Sequence, residues 1–301
     1  MSVVACMIRT MNRTTHSEAA GPATTPLRAL ARELLPAETA ERWIGLLRPT
    51  VGLMAAEGRE TVVGRLGGAP ELPADVEWPT WEGNGPLAFV AAVDCAALPV
   101  NALDIPLPDD GTLSFFYFDG QIDDGDALVL PDDRESWAGA RVLYTPAGTP
   151  TVERATPQGL DPYPVVPLTA RLEETAPDPY HPLIEEVFAG TGSDHPVYGE
   201  EFLDALGEAG EGAAHRIGGH ADPVQNPVET EVAHGVLGGG TAWDDPRLAE
   251  EARGWTLLAQ FDSDDDADMM WGDCGALYWL IRPEDLAERR FEAAMFTWQC
   301  C

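Results

Sequence analysis

The chain is 301 residues long, 45% hydrophobic, and carries 18 basic residues against 51 acidic ones, a formal net charge of −33. All of the basic residues are Arg, which excludes a Lys nucleophile and a P-loop. A field of this sign repels phosphate backbones, and no apolar run approaches the roughly 18 residues of a membrane helix, so neither a nucleic acid nor a membrane is an expected partner.

Residues 1–25 are small and polar and predict a flexible arm, with Met1, Met7 and Met11 all open as start positions. Two short helices follow. Leu27, Leu30 and Leu34 share a face before Pro36, and Trp43, Leu46 and Leu47 mark a second helix that Pro49 ends. From Arg59 the pattern becomes β-like. Thr61-Val62-Val63 predicts a strand running into Gly67-Gly68, and the aromatic-rich runs Leu87–Val93 and Leu113–Phe118 predict buried strands. Arg141–Tyr144 and Val165–Leu172 are weaker strands, while Tyr180–Phe188 and Glu200–Leu206 read as helices. Residues 207–214 read as a linker. Strands are then predicted near Trp255–Phe261, Ala276–Ile281 and Ala294–Trp298, with a helix over Pro283–Arg290.

One passage recurs in this chain, and the repeat sets the predicted organisation. Arg65-Leu66-Gly67-Gly68, an apolar strand ending at Asp94, and a strand opening at Gly111 have counterparts in Arg216-Ile217-Gly218-Gly219, a strand ending at Asp262, and a strand opening at Gly275. Order is kept while loop lengths drift, as in two related units with insertions in their connections. Short connections favour antiparallel pairing. The expectation is an α+β fold of predominantly antiparallel sheets in two related, duplicated halves with a helical N-terminal lead-in. The first half spans 26–210 and the second 211–301, together forming one globular unit.

The five cysteines show no C-x-x-C spacing, which argues against a disulfide framework and for a cytoplasmic location. Cys300-Cys301 lacks the motif and basic flank of a prenylated tail. The loop Asp262–Asp273 is the sharpest chemical signal. Asp262, Asp264 and Asp266 occupy positions 1, 3 and 5 of a calcium-loop spacing and Asp273 position 12, although position 6 is Ala267 rather than Gly. Two readings stand: a solvated acidic hairpin, or a Ca or Mg site with those four aspartates as ligands. His215, His220 and His234 lack the spacing of a helical metal pair and read as structural. Trp78 and Trp81 lie in a Pro/Gly-rich loop and are the tryptophans predicted to be exposed.

As an ordered set, Gly67-Gly68-x-Pro70, Leu72-Pro73, Trp78-Pro79 and Leu107-Pro108-x-x-Gly111-x-Leu113-x-Phe115-Phe116 resemble the bacterial YwqG-like family. So do His215-Arg216-x-Gly218-Gly219, Gln225, Leu257-Leu258-x-Gln260-x-Asp262, Trp271-Gly272-Asp273-x-Gly275-x-Leu277-Tyr278, Pro283-x-Asp285-Leu286 and Phe291. The resemblance covers residues 60–300, with 119–200 poorly matched, and this chain has Ala92 where the family usually has Gln. That family is one of unknown function, so the resemblance implies a fold and no catalytic residues.

The functional expectation is a non-enzymatic binding or interaction protein with an acidic, loop-rich surface and a basic protein as partner. Its contact residues would be Trp78, Trp81, Asn84, Gln225, Gln260 and Trp271, with no cofactor. The alternative is a divalent-metal-dependent enzyme of hydrolase class that uses Asp262, Asp264, Asp266 and Asp273.

Overall fold

Among the described residues ten strands join into one antiparallel sheet whose two ends curl toward each other. The computed structural model describes residues 25–188, 194–209 and 212–301. The predicted arm therefore lies outside the described residues except for Thr25, as do residues 210–211 of the predicted linker. Two short helices come first: α1 (Pro26–Leu34), capped by the Thr25 side chain, and α2 (Ala37–Ile44).

Strand β1 (Arg48–Ala55) follows at once. The β structure thus begins at Arg48, ahead of Arg59 where the sequence pattern predicts it, and Pro49 lies inside a strand. Pro49 faces Glu174 on one neighbour only, because the other neighbour pairs with β1 only over Val51–Leu53. The missing N–H therefore breaks no ladder. Strand β2 (Gly64–Leu66) starts three residues later than Thr61-Val62-Val63 predicts. Two-stranded excursions β3 (Glu71–Pro73) with β9 (Thr151–Glu153), and β4 (Thr80–Trp81) with β5 (Gly85–Pro86), flank the main sheet.

The sheet itself continues through β6 (Ala88–Asp94), β7 (Thr112–Tyr117), β8 (Ala140–Thr145) and β10 (Val166–Thr175). Helices α3 (Pro182–Val187) and α4 (Glu200–Ala209) precede β11 (His215–Ile217). Two helices that hydrophobic spacing does not predict come next, α5 (Val228–Val236) and α6 (Pro246–Ala252). Strand β12 (Thr256–Asp262), strand β13 (Ala276–Ile281), helix α7 (Pro283–Ala287) and strand β14 (Met295–Gln299) complete the chain.

The strand order is β14-β13-β12-β11-β1-β10-β2-β6-β7-β8. The long β1–β10 ladder, from Arg48 opposite Thr175 to Ala55 opposite Leu168, sits in the middle. Four strands continue outward on each side. In each set the first hairpin is interrupted once, between Phe89 and Ala91 on one side and between Leu257 and Ala259 on the other.

Right-handed twist brings the two ends together as a nearly closed barrel. Phe115 on β7 touches Phe261 and Trp279 across the interior, with ring centroids 5.0 and 5.3 Å apart. Tyr117 stacks on Phe296 at 4.9 Å. Both outer edges meet at a seam where Tyr144 of β8 packs against Phe291 at 5.3 Å. Inner residues of both strand sets thus share one apolar core.

Helices α1 to α4 make a second cluster beside the barrel, centred on Trp43 and Phe202, whose rings meet edge-on at 5.2 Å. The Arg28 guanidinium pairs with Glu174 on β10 at 2.6 Å and ties that cluster to the sheet. Helix α5 covers the outer face of β12 to β14. No helix among the described residues is long and apolar enough to cross a membrane.

Candidate functional site

The register places Arg216, Gln260 and Tyr278 side by side on β11, β12 and β13. All three are buried, and all three reach toward Asp222. The Gln260 carbonyl accepts the Asp222 backbone N–H at 2.9 Å, and the Tyr278 hydroxyl donates to the Asp222 carbonyl at 3.0 Å. Arg216 Nη2 lies 3.8 Å from the Asp222 carboxylate and donates to the Ala213 carbonyl at 3.1 Å, while Nη1 donates to the His220 carbonyl at 3.5 Å. The Gln260 amide also donates to Asp262 at 2.7 Å. Burial nevertheless pushes the Asp262 carboxyl above its ordinary range, the Gln260 bond and nearby charges opposing it. Burial likewise raises the Tyr278 hydroxyl.

This arrangement holds main chain in place. The Gln260 amide and Tyr278 hydroxyl are spent on the loop, while Arg216 Nε is buried without a hydrogen-bond partner among the described residues. The opposite strand set has a simpler version of the same clamp. Arg65 donates to the carbonyls of Gly67 and Ala69, the latter four residues on, as His220 is from Arg216. Ala92 and Ser114 occupy the ladder positions of Gln260 and Tyr278. The spacing Arg-x-Gly-Gly is visible twice in the sequence and is the signal that marks these arginines; reading only the glycines misses them. All four glycines adopt positive φ, between 60° and 76°.

The predicted contact residues are not brought to one surface. Trp78 and Trp81, expected to be exposed, turn inward. The Trp81 indole donates to the Glu135 carbonyl at 3.1 Å and its ring meets Phe118 at 5.2 Å, leaving the residue 9% exposed. Trp78 donates to the Leu87 carbonyl at 2.9 Å and meets Phe116 edge-on. The loop folds back over the barrel because each indole finds both an acceptor and an aromatic neighbour there. Asn84 closes the turn between β4 and β5, its backbone N–H donating to the Trp81 carbonyl. Gln225 anchors the chain end, its amide donating to the Cys300 carbonyl at 2.7 Å. Trp271 is buried between Tyr117 and Tyr163, with no acceptor for its N–H among the described residues.

The acidic loop does not draw its four aspartates together. Asp264 accepts the Ala267 N–H at 2.8 Å and faces His215 Nε2 at 3.2 Å, whose hydrogen bond and partial charge hold its carboxyl below the usual range. Asp262 turns to Gln260, and Asp266 and Asp273 are exposed. Among the described residues no group of three or more His, Cys, Asp or Glu side chains is placed to hold a metal ion.

The histidines are each tied to main chain. His215 Nδ1 accepts the Asp262 N–H at 3.1 Å, which assigns its proton to Nε2. His220 Nε2 reaches the Leu46 carbonyl at 2.8 Å and His234 Nε2 the Thr241 carbonyl at 3.0 Å. Burial depresses His220 to about 4. Among the described residues the most enclosed histidine–carboxylate contact is His181 Nε2 with Glu229, 3.5 Å apart beside His220. Burial opposes the Glu229 charge, but the His181 hydrogen bond and charge outweigh it and keep the carboxyl below its ordinary range. Cys95, Cys300 and Cys301 are free thiols, whereas Cys274 is disulfide-bonded, against the expectation from cysteine count and spacing.

A family model described as a domain of unknown function (DUF1963) matches residues 64–300. No curated protein matches the chain.

Proposed function

The chain belongs to the DUF1963 family, and from that premise we propose that it is a binding protein without catalytic chemistry of its own, whose acidic surface captures a basic partner. One observation carries this reading. Among the described residues ten arginines lie within ion-pairing distance of a carboxylate, so most of the described cations are matched and a large acidic excess is left over.

The surface that fits is the long connection between β7 and β8 rather than the Trp78–Asn84 and Asp262–Asp273 loops. Exposed Asp124 and Asp126 on one side and Asp132 and Asp133 on the other flank exposed Leu128 and Leu130 there. Gly235 and Gly239 pack against Pro131 and Asp132, which brings in the following loop and its Trp243, 62% exposed and stacked on His234 at 4.2 Å. Large apolar groups among unpaired carboxylates suit a basic amphipathic segment of a partner protein.

Calorimetric titration with an amphipathic Lys/Leu peptide tests the location. Leu128→Ser with Leu130→Ser, and separately Asp126→Asn with Asp132→Asn and Asp133→Asn, are each expected to weaken binding by about tenfold or more, about 1.4 kcal/mol. Parent-like affinity in both variants would refute the assignment.

We also infer that the two strand sets descend from a tandem duplication within a YwqG-like chain. The paired arginine clamps, the matching interruptions at Phe89/Ala91 and Leu257/Ala259, and the positive-φ glycine pairs support the duplication. Crystal coordinates in which residues 64–117 and 215–281 fail to superpose would remove it.

A further inference from the structure

The turn that joins α5 to α6 holds one indole face toward solvent. Gly238 and Gly239 donate their N–H groups to the carbonyls of Gly235 and His234, each at 2.9 Å, so the chain folds back on the end of α5. His234, buried at that end, reaches the Thr241 carbonyl with Nε2 at 3.0 Å, which fixes the plane of its ring. Trp243 lies on that ring, 4.2 Å away and within 7° of parallel. With one indole face covered in this way, an exposure of 62% leaves the opposite face open to solvent.

Carboxylates accompany this face. Gly239 packs against Asp132, so closely that a methyl group there would meet the Asp132 carboxylate at 3.7 Å. Asp244 follows Trp243 in the chain and is exposed, as are Asp132 and Asp133. None of these three aspartates makes an ion pair among the described residues. Arg134 and Arg247, on the flanking segments, are engaged. Arg134 donates to the Val236 carbonyl at 3.1 Å and lies over the Trp137 ring at 5.3 Å, and Arg247 pairs with Asp245 at 2.7 Å.

Elsewhere the molecule builds a complete unit of this kind from its own side chains. Arg282 lies over the Trp255 ring at 4.5 Å while pairing with Glu251, which also accepts the Trp255 indole N–H at 3.1 Å. Trp243 has the aromatic face and the neighbouring carboxylates, and among the described residues no guanidinium lies over it.

We propose that Trp243 receives an arginine side chain of the basic partner, with the guanidinium stacked on the open indole face and its N–H groups turned to the neighbouring carboxylates. The inference rests on the reading of this surface as the docking site, and it names what the surface recognises: arginine in preference to lysine. A planar guanidinium lies flat on an indole and still presents N–H donors at the ring edge, whereas an ammonium is compact and more strongly hydrated. A methylated ammonium is held by a cage of several aromatic faces. Among the described residues the ring that meets Trp243 is His234, and it occupies the covered side.

Calorimetric titration of the full chain tests the inference, using the amphipathic Lys/Leu peptide and versions that carry arginine in place of one lysine at a time. At one peptide position arginine should strengthen binding by about threefold or more, the size of a cation–π contact at an exposed site. Trp243→Ala should bring that peptide and its all-lysine parent to equal affinity. Trp243→Phe should keep a smaller preference, because indole is the strongest of the aromatic faces. Both variants change an exposed side chain and should fold like the parent. No position at which arginine is preferred, or a preference that survives Trp243→Ala, would overturn the inference and leave the acidic docking surface standing. Absence of heat from every peptide would overturn both.

Discussion

Phe115→Ala tests whether the two strand sets share one core. Phe115 is fully buried on β7, and its ring meets Phe261 on β12 and Trp279 on β13, contacts that exist only because the sheet curls onto itself. Removing a buried Phe ring costs about 3–5 kcal/mol, combining lost transfer energy with the cavity left behind. Each edge-on ring pair adds roughly 0.5–1.5 kcal/mol beyond area burial. A double-mutant cycle of Phe115→Ala with Phe261→Ala should therefore show a coupling of about 1 kcal/mol, although the two residues lie on opposite sides of the β1–β10 ladder. Urea unfolding followed by tryptophan fluorescence gives these values, with exposed Val62→Ala as the control. A Phe115→Ala cost below about 1 kcal/mol, or a coupling indistinguishable from zero, would refute the shared core.

Gly235→Ala would drive a methyl into the Pro131 carbonyl oxygen and should cost about 1–3 kcal/mol in the same assay, whereas Gly240→Ala, with open space around it, should stay within about 0.5 kcal/mol. His220 sits at about 4 against an ordinary 6.5, so the folded state resists its protonation; this stability is whole above pH 6.5 and is lost as pH falls toward 4, on the order of 3 kcal/mol. The groups facing it are His181, Arg48, Glu229 and the Leu46 carbonyl, and His220→Asn should flatten the stability slope in that window. An unchanged slope would assign the acid sensitivity elsewhere. Burial, with help from Asp94 and Asp110, raises the Cys95 thiol to about 12, so a disulfide reagent at pH 8 should label exposed Cys301 and spare Cys95 until the protein unfolds.

The strands that carry the barrel were the legible part of the sequence. Leu87–Val93 and Trp255–Phe261 are nearly continuous apolar runs because both of their faces are covered, and runs of that kind announce themselves. β1 was hidden by Pro49, whose tolerance depends on how far a neighbouring strand extends, a tertiary fact. Helix α5 was hidden because burial reaches almost round it, including Glu229 and His234, so no polar stripe marks it. Trp78 and Trp81 looked exposed because their loop is rich in Pro and Gly; the acceptors that draw them inward, Leu87 and Glu135, are main-chain carbonyls with no sequence signature. The aspartates of the 262–273 loop matched a ligand spacing, but hydrogen bonds from Gln260 and Ala267 turn two of them in different directions.

Ionic strength offers the most direct test of the electrostatic claim. Affinity for the basic amphipathic peptide, measured calorimetrically between about 50 and 200 mM salt, should fall by about tenfold or more as the field of the 51 acidic residues is screened. An affinity that holds constant across that range would contradict capture by charge.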